Sequence, residues 1–102
     1  MRERDGKITK ELAKKLYDSK DEKDGLATRQ AIGAILNVYE IIAISIYFGD
    51  ADEYLLREYY NGLILGHFES LFPMIEEWRK TDPETFVYFE WLAKRWRDNP
   101  EI

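Results

Sequence analysis

The stretch LNVYEIIAISIYFGDADE, residues 36–53, decides the fold, because it holds the end of one apolar segment, a turn and the start of the next segment. Apolar residues occupy every face of a helix over residues 26–48, which predicts a central helix buried on all sides. Gly49 is typical of the residue that follows a helix, and Asp50 or Asp52 can cap the next one. The short connection predicts an antiparallel helical hairpin.

The first 25 residues are expected to be a charged segment outside the helical core. Thr9 can cap an amphipathic helix that runs to about Ser19, and the polar residues 18–25 are typical of a linker. Residues 26–102 then hold the helical core. The chain of 102 residues is sufficient for one domain with a single core.

Two prolines help to define the rest of the chain. Pro73 lies inside the third predicted helix, which runs from about Asp52 to Arg79, and it predicts a kink or a restart. The motif TDPE, residues 81–84, has a capping threonine, a proline in the first turn and a glutamate at the third position. This capping box predicts a fourth helix that ends near Arg97. No segment has a better strand period than helix period, so we expect an all-α, four-helix bundle-like domain.

Polar residues inside the apolar helix predict a structural polar network. Asn37 and Glu40 lie one helical turn apart in this helix. If the turn of the hairpin centres near residue 50, Glu40 lies level with residue 60, and Arg57, Tyr60 and Asn61 lie within one helical turn of that level. A buried carboxylate needs such partners, so we expect these five residues to form one hydrogen-bonded group.

Small residues recur along the third predicted helix. Gly62, Gly66 and Ser70 are each four residues apart, and Gly33 is expected at the same level on the neighbouring helix. This stripe predicts a close crossing of the two helices. The glycines do not precede a helix start, which argues against a phosphate-binding loop.

The charge distribution bears on the partners. Residues 1–20 carry seven basic and four acidic side chains, a balance of +3, whereas residues 40–77 carry one basic and eight acidic side chains, a balance of −7. The acidic middle third disfavours direct binding of nucleic acid. The basic N-terminal segment is either a binding arm or a solvated helix of mixed charge.

The sequence offers no set of catalytic or metal-binding residues. Cysteine is absent, and His67 is the only histidine. Glu69 is two residues from His67 and therefore lies on a different helical face. Glu40 is the one carboxylate in a strongly apolar setting, and no second group of opposite role accompanies it. We therefore expect no enzyme activity, no metal and no cofactor.

The apolar helix is long enough to raise the question of a membrane span. Its roughly 23 residues could cross a bilayer. Arg29, Asn37 and Glu40 argue against a span, because no second apolar segment of this length could shelter the carboxylate. The N-terminal residues lack the apolar core of a signal peptide. We expect a cytoplasmic protein.

The aromatic residues exceed what one core face requires. Fifteen of 102 residues are Phe, Trp or Tyr. On the last predicted helix, Tyr88 and Trp91 share one face, with Arg95 a turn further along, and this composition is typical of the centre of a protein interface. Packing on a neighbouring helix, a homodimer interface and a foreign protein partner are the three alternatives.

The segments LNVYE, FGDAD, FPMIEEWRK and FEWLAKRW resemble a family of small helical proteins from bacteria and their phages that is known only as a domain of unknown function. The resemblance covers about residues 29–97. It implies a helical fold and a phage setting, and it implies no catalytic residue.

Together these features predict a small non-catalytic protein-binding module. With the phage setting, the most specific form is an antagonist of bacterial defence, such as an anti-CRISPR protein, acting in the host cytoplasm. Its expected target is a host complex that handles nucleic acid, since an acidic surface suits such a target. The alternative is a structural or accessory homo-oligomer without a foreign target.

Overall fold

The computed structural model describes residues 10–11 and 23–101, and every regular element in these ranges is a helix. The predicted all-α class is therefore confirmed. Three helices follow one another in the described part of the chain: α1 (Lys23–Tyr47), α2 (Glu53–Arg79) and α3 (Val87–Asp98).

The predicted N-terminal helix and most of the predicted linker lie outside the described residues, apart from Lys10 and Glu11, which are helical. The arrangement of four helices therefore stays a prediction. α1 begins three residues before the predicted start, inside the expected linker.

The turn between α1 and α2 confirms the prediction made from local signals. Gly49 has a φ of 80°, a left-handed conformation that glycine adopts at little cost. The backbone N–H of Asp50 donates to the carbonyl of Ser45 at 2.8 Å, which closes the end of α1. Asp52 caps α2, because its side chain accepts a hydrogen bond from the N–H of Leu55 at 3.1 Å.

The start of α3 differs from the prediction. Thr81 lies in a turn and does not cap the helix. The Asp82 carboxylate accepts from the N–H of Glu84, and turns continue until Phe86, which has a φ of 58°. The helix begins at Val87, and Phe86 supplies no side-chain cap. The capping-box prediction was wrong because the aspartate organises a turn in place of a helix end.

The two long helices are antiparallel, but their register differs from the predicted one. Tyr39 of α1 lies against His67 of α2, with 5.5 Å between the ring centroids. Gly33 lies against the Trp78 ring, since a Cβ built on Gly33 would be 3.8 Å from it. Gly33 was expected level with residue 67. The register differs because α3 packs against both long helices and fills the space between them.

The predicted close crossing at the glycine stripe is also wrong. Gly62 and Gly66 are exposed, and a Cβ built on either residue would meet no atom within 4 Å. α2 continues through Pro73 without a restart.

The core lies where α3 meets α1 and α2. It contains residues from all three helices and from the turn that precedes α3: Leu36, Tyr39, Ala43, Ile46, Ile64, Ile75, Phe86, Phe89, Leu92, Ala93 and Trp96. Phe89 stacks on Tyr39 at 5.4 Å and contacts Phe68 edge-to-face at 5.5 Å, so it joins the two long helices.

α1 is not buried on all sides, in contrast to the prediction. Its inner face is buried, but Ile35, Val38 and Ile41 are 43%, 51% and 63% exposed. By length and composition alone, Gly25–Tyr47 could cross a membrane, and it is the one described helix with this property.

Candidate protein-binding surface

Glu40 completes the N-terminus of α3. Its Oε1 accepts from the N–H of Phe89 at 2.7 Å, and its Oε2 lies 3.4 Å from the N–H of Tyr88. These are the second and third residues of the helix, whose amides a capping side chain normally binds. Phe86 cannot provide this cap, so Glu40 supplies it from α1. Its negative charge also lies at the positive end of the helix dipole.

Arg57 performs the complementary role at the other end of α3. Its guanidinium donates to the carbonyls of Trp96 and Asn99 at 2.8 and 2.7 Å. It also lies 5.7 Å from the centroid of the Trp96 ring. A cation is favourable where the last carbonyls of a helix point. α3 is thus held by a carboxylate of α1 at its N-terminus and by a guanidinium of α2 at its C-terminus.

Glu53, the first residue of α2, adds a second contact to the C-terminal half of α3. It accepts from Arg95 Nε at 2.7 Å, from Arg95 Nη2 at 3.0 Å and from Trp96 Nε1 at 2.8 Å. The hydrogen bond from Arg95 is the main cause that lowers the pKa of Glu53, and the indole N–H lowers it further against the effect of burial. The carboxylate is therefore held in its charged form.

Arg79, at the end of α2, fixes the turn before α3. Its guanidinium donates to the carbonyls of Thr85 and Phe86 and forms an ion pair of 2.7 Å with Glu90. Lys94 pairs with the same carboxylate. Burial acts to raise the pKa of Glu90, but the hydrogen bonds from Lys94 and Arg79 outweigh it, and the pKa is lowered.

The aromatic cluster, which we define as Tyr47, Phe48, Tyr88 and Trp91, lies where the C-terminus of α1 meets α3. The Tyr47 ring contacts the other three rings edge-on, with centroids 5.0–5.1 Å apart. Arg95 lies 5.6 Å from the centroid of the Trp91 ring. Tyr47 and Phe48 are 52% and 62% exposed, while Tyr88 and Trp91 are half-buried.

The aromatic cluster corrects part of the sequence prediction. Tyr88, Trp91 and Arg95 lie close together, as expected, but both rings also pack against the core, and Arg95 is engaged by Glu53. Tyr47 and Phe48 were missed because they appeared to be the end of a buried helix. Their position directly before Gly49, which ends the helix, was the sequence feature that could have indicated their exposure.

The predicted polar network is not formed. Glu40 and Arg57 lie at opposite ends of α3, as described above. Asn37 is exposed and lines a small pocket beside Gly33 and Trp78. Tyr60 packs against the core, and the Asn61 Oδ1 is buried without a hydrogen-bond partner among the described residues. The prediction failed because it placed residue 40 level with residue 60, whereas Tyr39 lies against His67 and α3 lies between Glu40 and Arg57.

A further polar contact in the described part of the chain joins a tyrosine and a histidine of the two long helices. Tyr39 Oη and His67 Nδ1 form a hydrogen bond of 2.7 Å, and burial, followed by the nearby Tyr60, raises the pKa of Tyr39. No group of three or more His, Asp or Glu side chains within residues 10–11 and 23–101 could hold a metal ion.

A cleft of about 400 Å³ opens between α2 and α3. Its lining is mainly apolar, with one carboxylate and one guanidinium: Leu65, Phe68, Phe72, Ala93, Glu69 and Arg97.

The sequence matches the model of a protein family described as a domain of unknown function (DUF4760), over residues 1–96. The chain belongs to this family. The match confirms the predicted membership in a family known as a domain of unknown function, and it extends the resemblance to the N-terminal segment. The chain matches no curated protein and no solved structure.

Proposed function

We propose that this protein is a non-catalytic module that binds another protein through the aromatic cluster. The observation that carries the proposal is the exposure of Tyr47 and Phe48, at 52% and 62%, beside half-buried Trp91. Aromatic side chains on a rigid base are favoured anchors in interfaces, because they bring a large apolar area and lose little conformational freedom.

The setting of the aromatic cluster also favours binding. α3 is fixed at both ends by Glu40 and Arg57, so its half of the cluster is held in place before a partner arrives. A surface that is already ordered loses little conformational entropy on binding. Arg95 adds a guanidinium at the edge of the cluster, where it can meet a carboxylate or a carbonyl of the partner.

The most specific form of the proposal is a phage-encoded antagonist of bacterial defence that occupies the surface of a host complex which handles nucleic acid. The support for this form is the acidic balance of residues 40–77, in which five carboxylates are exposed: Asp50, Asp52, Glu58, Glu69 and Glu76. An acidic surface is attracted to a surface that normally binds phosphates.

Site-specific photo-crosslinking tests the proposal. A photoreactive phenylalanine analogue replaces Tyr47 in the full chain, which is then expressed in bacterial cytoplasm and irradiated. The matched control carries the analogue at Tyr59, which is 76% exposed on α2 and outside the aromatic cluster. We expect an adduct with a foreign protein from position 47 and none from position 59.

The mass and identity of the adduct decide the outcome. A subunit of a nucleic-acid-handling complex supports the antagonist, whereas an unrelated protein argues against that form only. Equal labelling from both positions, or adducts of this chain with itself alone, would contradict the proposed binding site.

A further inference from the structure

Six residues on α1 and at its end form an uncharged stripe opposite the core. The stripe consists of positions spaced three and four residues apart: Ala31, Ala34, Val38, Ile41, Ser45 and Phe48. The core-facing residues of the same helix are Leu36, Tyr39, Ala43 and Ile46. We call these six residues the α1 seam. Its spacing is that of the apolar a and d positions in a coiled coil.

The α1 seam is open among the described residues. Val38, Ile41 and Phe48 are 51%, 63% and 62% exposed, and the two alanines are exposed as well. Ser45 does not make the seam polar, because its hydroxyl donates to the carbonyl of Ile41 at 2.9 Å. The positions that flank the seam also carry no charge: Gln30, Ile35, Asn37, Ile42 and Ile44.

We propose that the α1 seam is the interface of a homodimer, in which α1 packs antiparallel against α1 of a second copy. The pairing follows from residue size. In this arrangement Val38 meets the partner's Ile41, Ala34 meets the partner's Ser45, and Ala31 meets the partner's Phe48. Each pair places one a position against one d position, and the bulky end of each seam covers the small end of the other.

Electrostatics permit a second copy as the occupant. Each chain carries a net charge of −5, which opposes self-association in general. The α1 seam carries none of this charge, so two copies can meet there without burying like charges. A parallel pairing is less suitable, since it would set Phe48 against Phe48 and leave the alanine end unfilled.

The exposed area is sufficient for a specific contact. Together with Ile35, which is 43% exposed, the seam exposes to solvent an apolar area on the order of 500 Å² per copy. This area is within the range typical of interaction patches. Two such faces that covered each other completely would bury about 1,000 Å², the size at which specific interfaces begin.

A bilayer is a poorer occupant than a second copy. α3 covers the opposite side of α1 and brings Glu90, Lys94 and Arg95 with it. A membrane-spanning α1 would either carry these charges into the hydrocarbon or lose the hydrogen bonds between Glu40 and α3.

Light scattering of the full chain tests the proposal. We expect twice the chain mass of 12.2 kDa at micromolar concentration. Ile41→Glu should give the mass of a single chain with unchanged helical circular dichroism, because it places a charge in the centre of the seam. Leu55→Glu is the matched control, since Leu55 is 65% exposed on α2, and it should remain a dimer.

A pair of cysteine variants tests the register, because the chain has no cysteine of its own. A mixture of Ala34→Cys and Ser45→Cys chains should form a disulfide-linked dimer under mild oxidation. Either variant alone should not, since its two cysteines would lie about 16 Å apart along the helices, beyond the reach of a disulfide.

Several outcomes would overturn the proposal. These are a single-chain mass for the wild type, a dimer that persists in Ile41→Glu, and cross-linking of Ala34→Cys with itself. A wild-type chain that is monomeric and floats with phosphatidylcholine vesicles would assign the seam to a membrane surface. The dimer and the proposed function share Phe48, which the dimer would cover, whereas Tyr47 lies outside the seam. The two proposals still fail separately: a single-chain mass overturns the dimer alone, and the absence of a foreign adduct from position 47 overturns the binding site alone.

Discussion

At the residue scale, Glu40 is a residue of one helix whose side chain caps another. Its backbone lies in the apolar part of α1, whereas its carboxylate completes α3, 49 residues further along the chain. The N-terminus of α3 lacks a local cap because Phe86 occupies that position in a left-handed conformation. The carboxylate therefore stabilises the first turn of α3 when α3 packs against α1.

Replacing Glu40 with alanine should lower the free energy of unfolding by about 1–3 kcal/mol, because two amides at the start of α3 lose their acceptor. Glu40→Gln keeps an acceptor for the N–H of Phe89 but loses the charge at the helix dipole and the longer contact to the N–H of Tyr88, so it should cost less than the alanine change, about 0.3–1 kcal/mol. Urea unfolding followed by circular dichroism measures both. Glu58→Ala, at an exposed glutamate of α2, is the control, and an equal effect of all three changes would contradict the role of Glu40.

At the element scale, helix ends that depend on neighbouring residues were predictable, and those that depend on distant residues were not. Gly49 and Asp52 act within a few residues of themselves, and both were identified from the sequence. The start of α3 depends on Glu40, for which no local pattern exists. The aromatic cluster was half predicted for the same reason: Tyr88 and Trp91 share one helix, whereas Tyr47 approaches from another.

The glycines of α2 provide a test at this scale. A methyl group at Gly62 would meet no atom within 4 Å, and the backbone at Gly62 is helical. Gly62→Ala should therefore raise the free energy of unfolding by about 1 kcal/mol, because alanine has the higher helix propensity. Gly49→Ala should lower it by about 1–2 kcal/mol, because the φ of 80° disfavours a side chain. Thermal melts of the two variants at equal protein concentration should therefore shift in opposite directions. A lower melting temperature for Gly62→Ala would show that another chain packs closely there.

At the scale of the whole molecule, α3 holds the two long helices together. It contributes buried residues to the core from Phe89 to Trp96, and its two ends are bound by different helices. The sequence predicted the helices themselves but not this arrangement. The hairpin appeared to be the central unit because its turn is short, yet the third element determines how far apart the two long helices lie.

Phe89 is the residue through which this arrangement can be tested. It is fully buried and contacts Tyr39 of α1 and Phe68 of α2. Phe89→Ala should cost about 3–5 kcal/mol, because it leaves a cavity between both long helices. Domains of this kind have only about 5–15 kcal/mol in total, so the variant should be close to unfolding. Tyr59→Ala, at an exposed ring of α2, should change stability by less than about 0.5 kcal/mol.

Urea titrations of Phe89→Ala and Tyr59→Ala at one fixed protein concentration compare both effects with the same contribution from self-association. Amide hydrogen exchange shows which helices the substitution destabilises. If α3 joins the long helices, Phe89→Ala should speed exchange in the inner turns of α1 and α2 together, because both lose the same contact. Faster exchange confined to α3 would mean that the hairpin holds its own register, and that α3 is an addition to it.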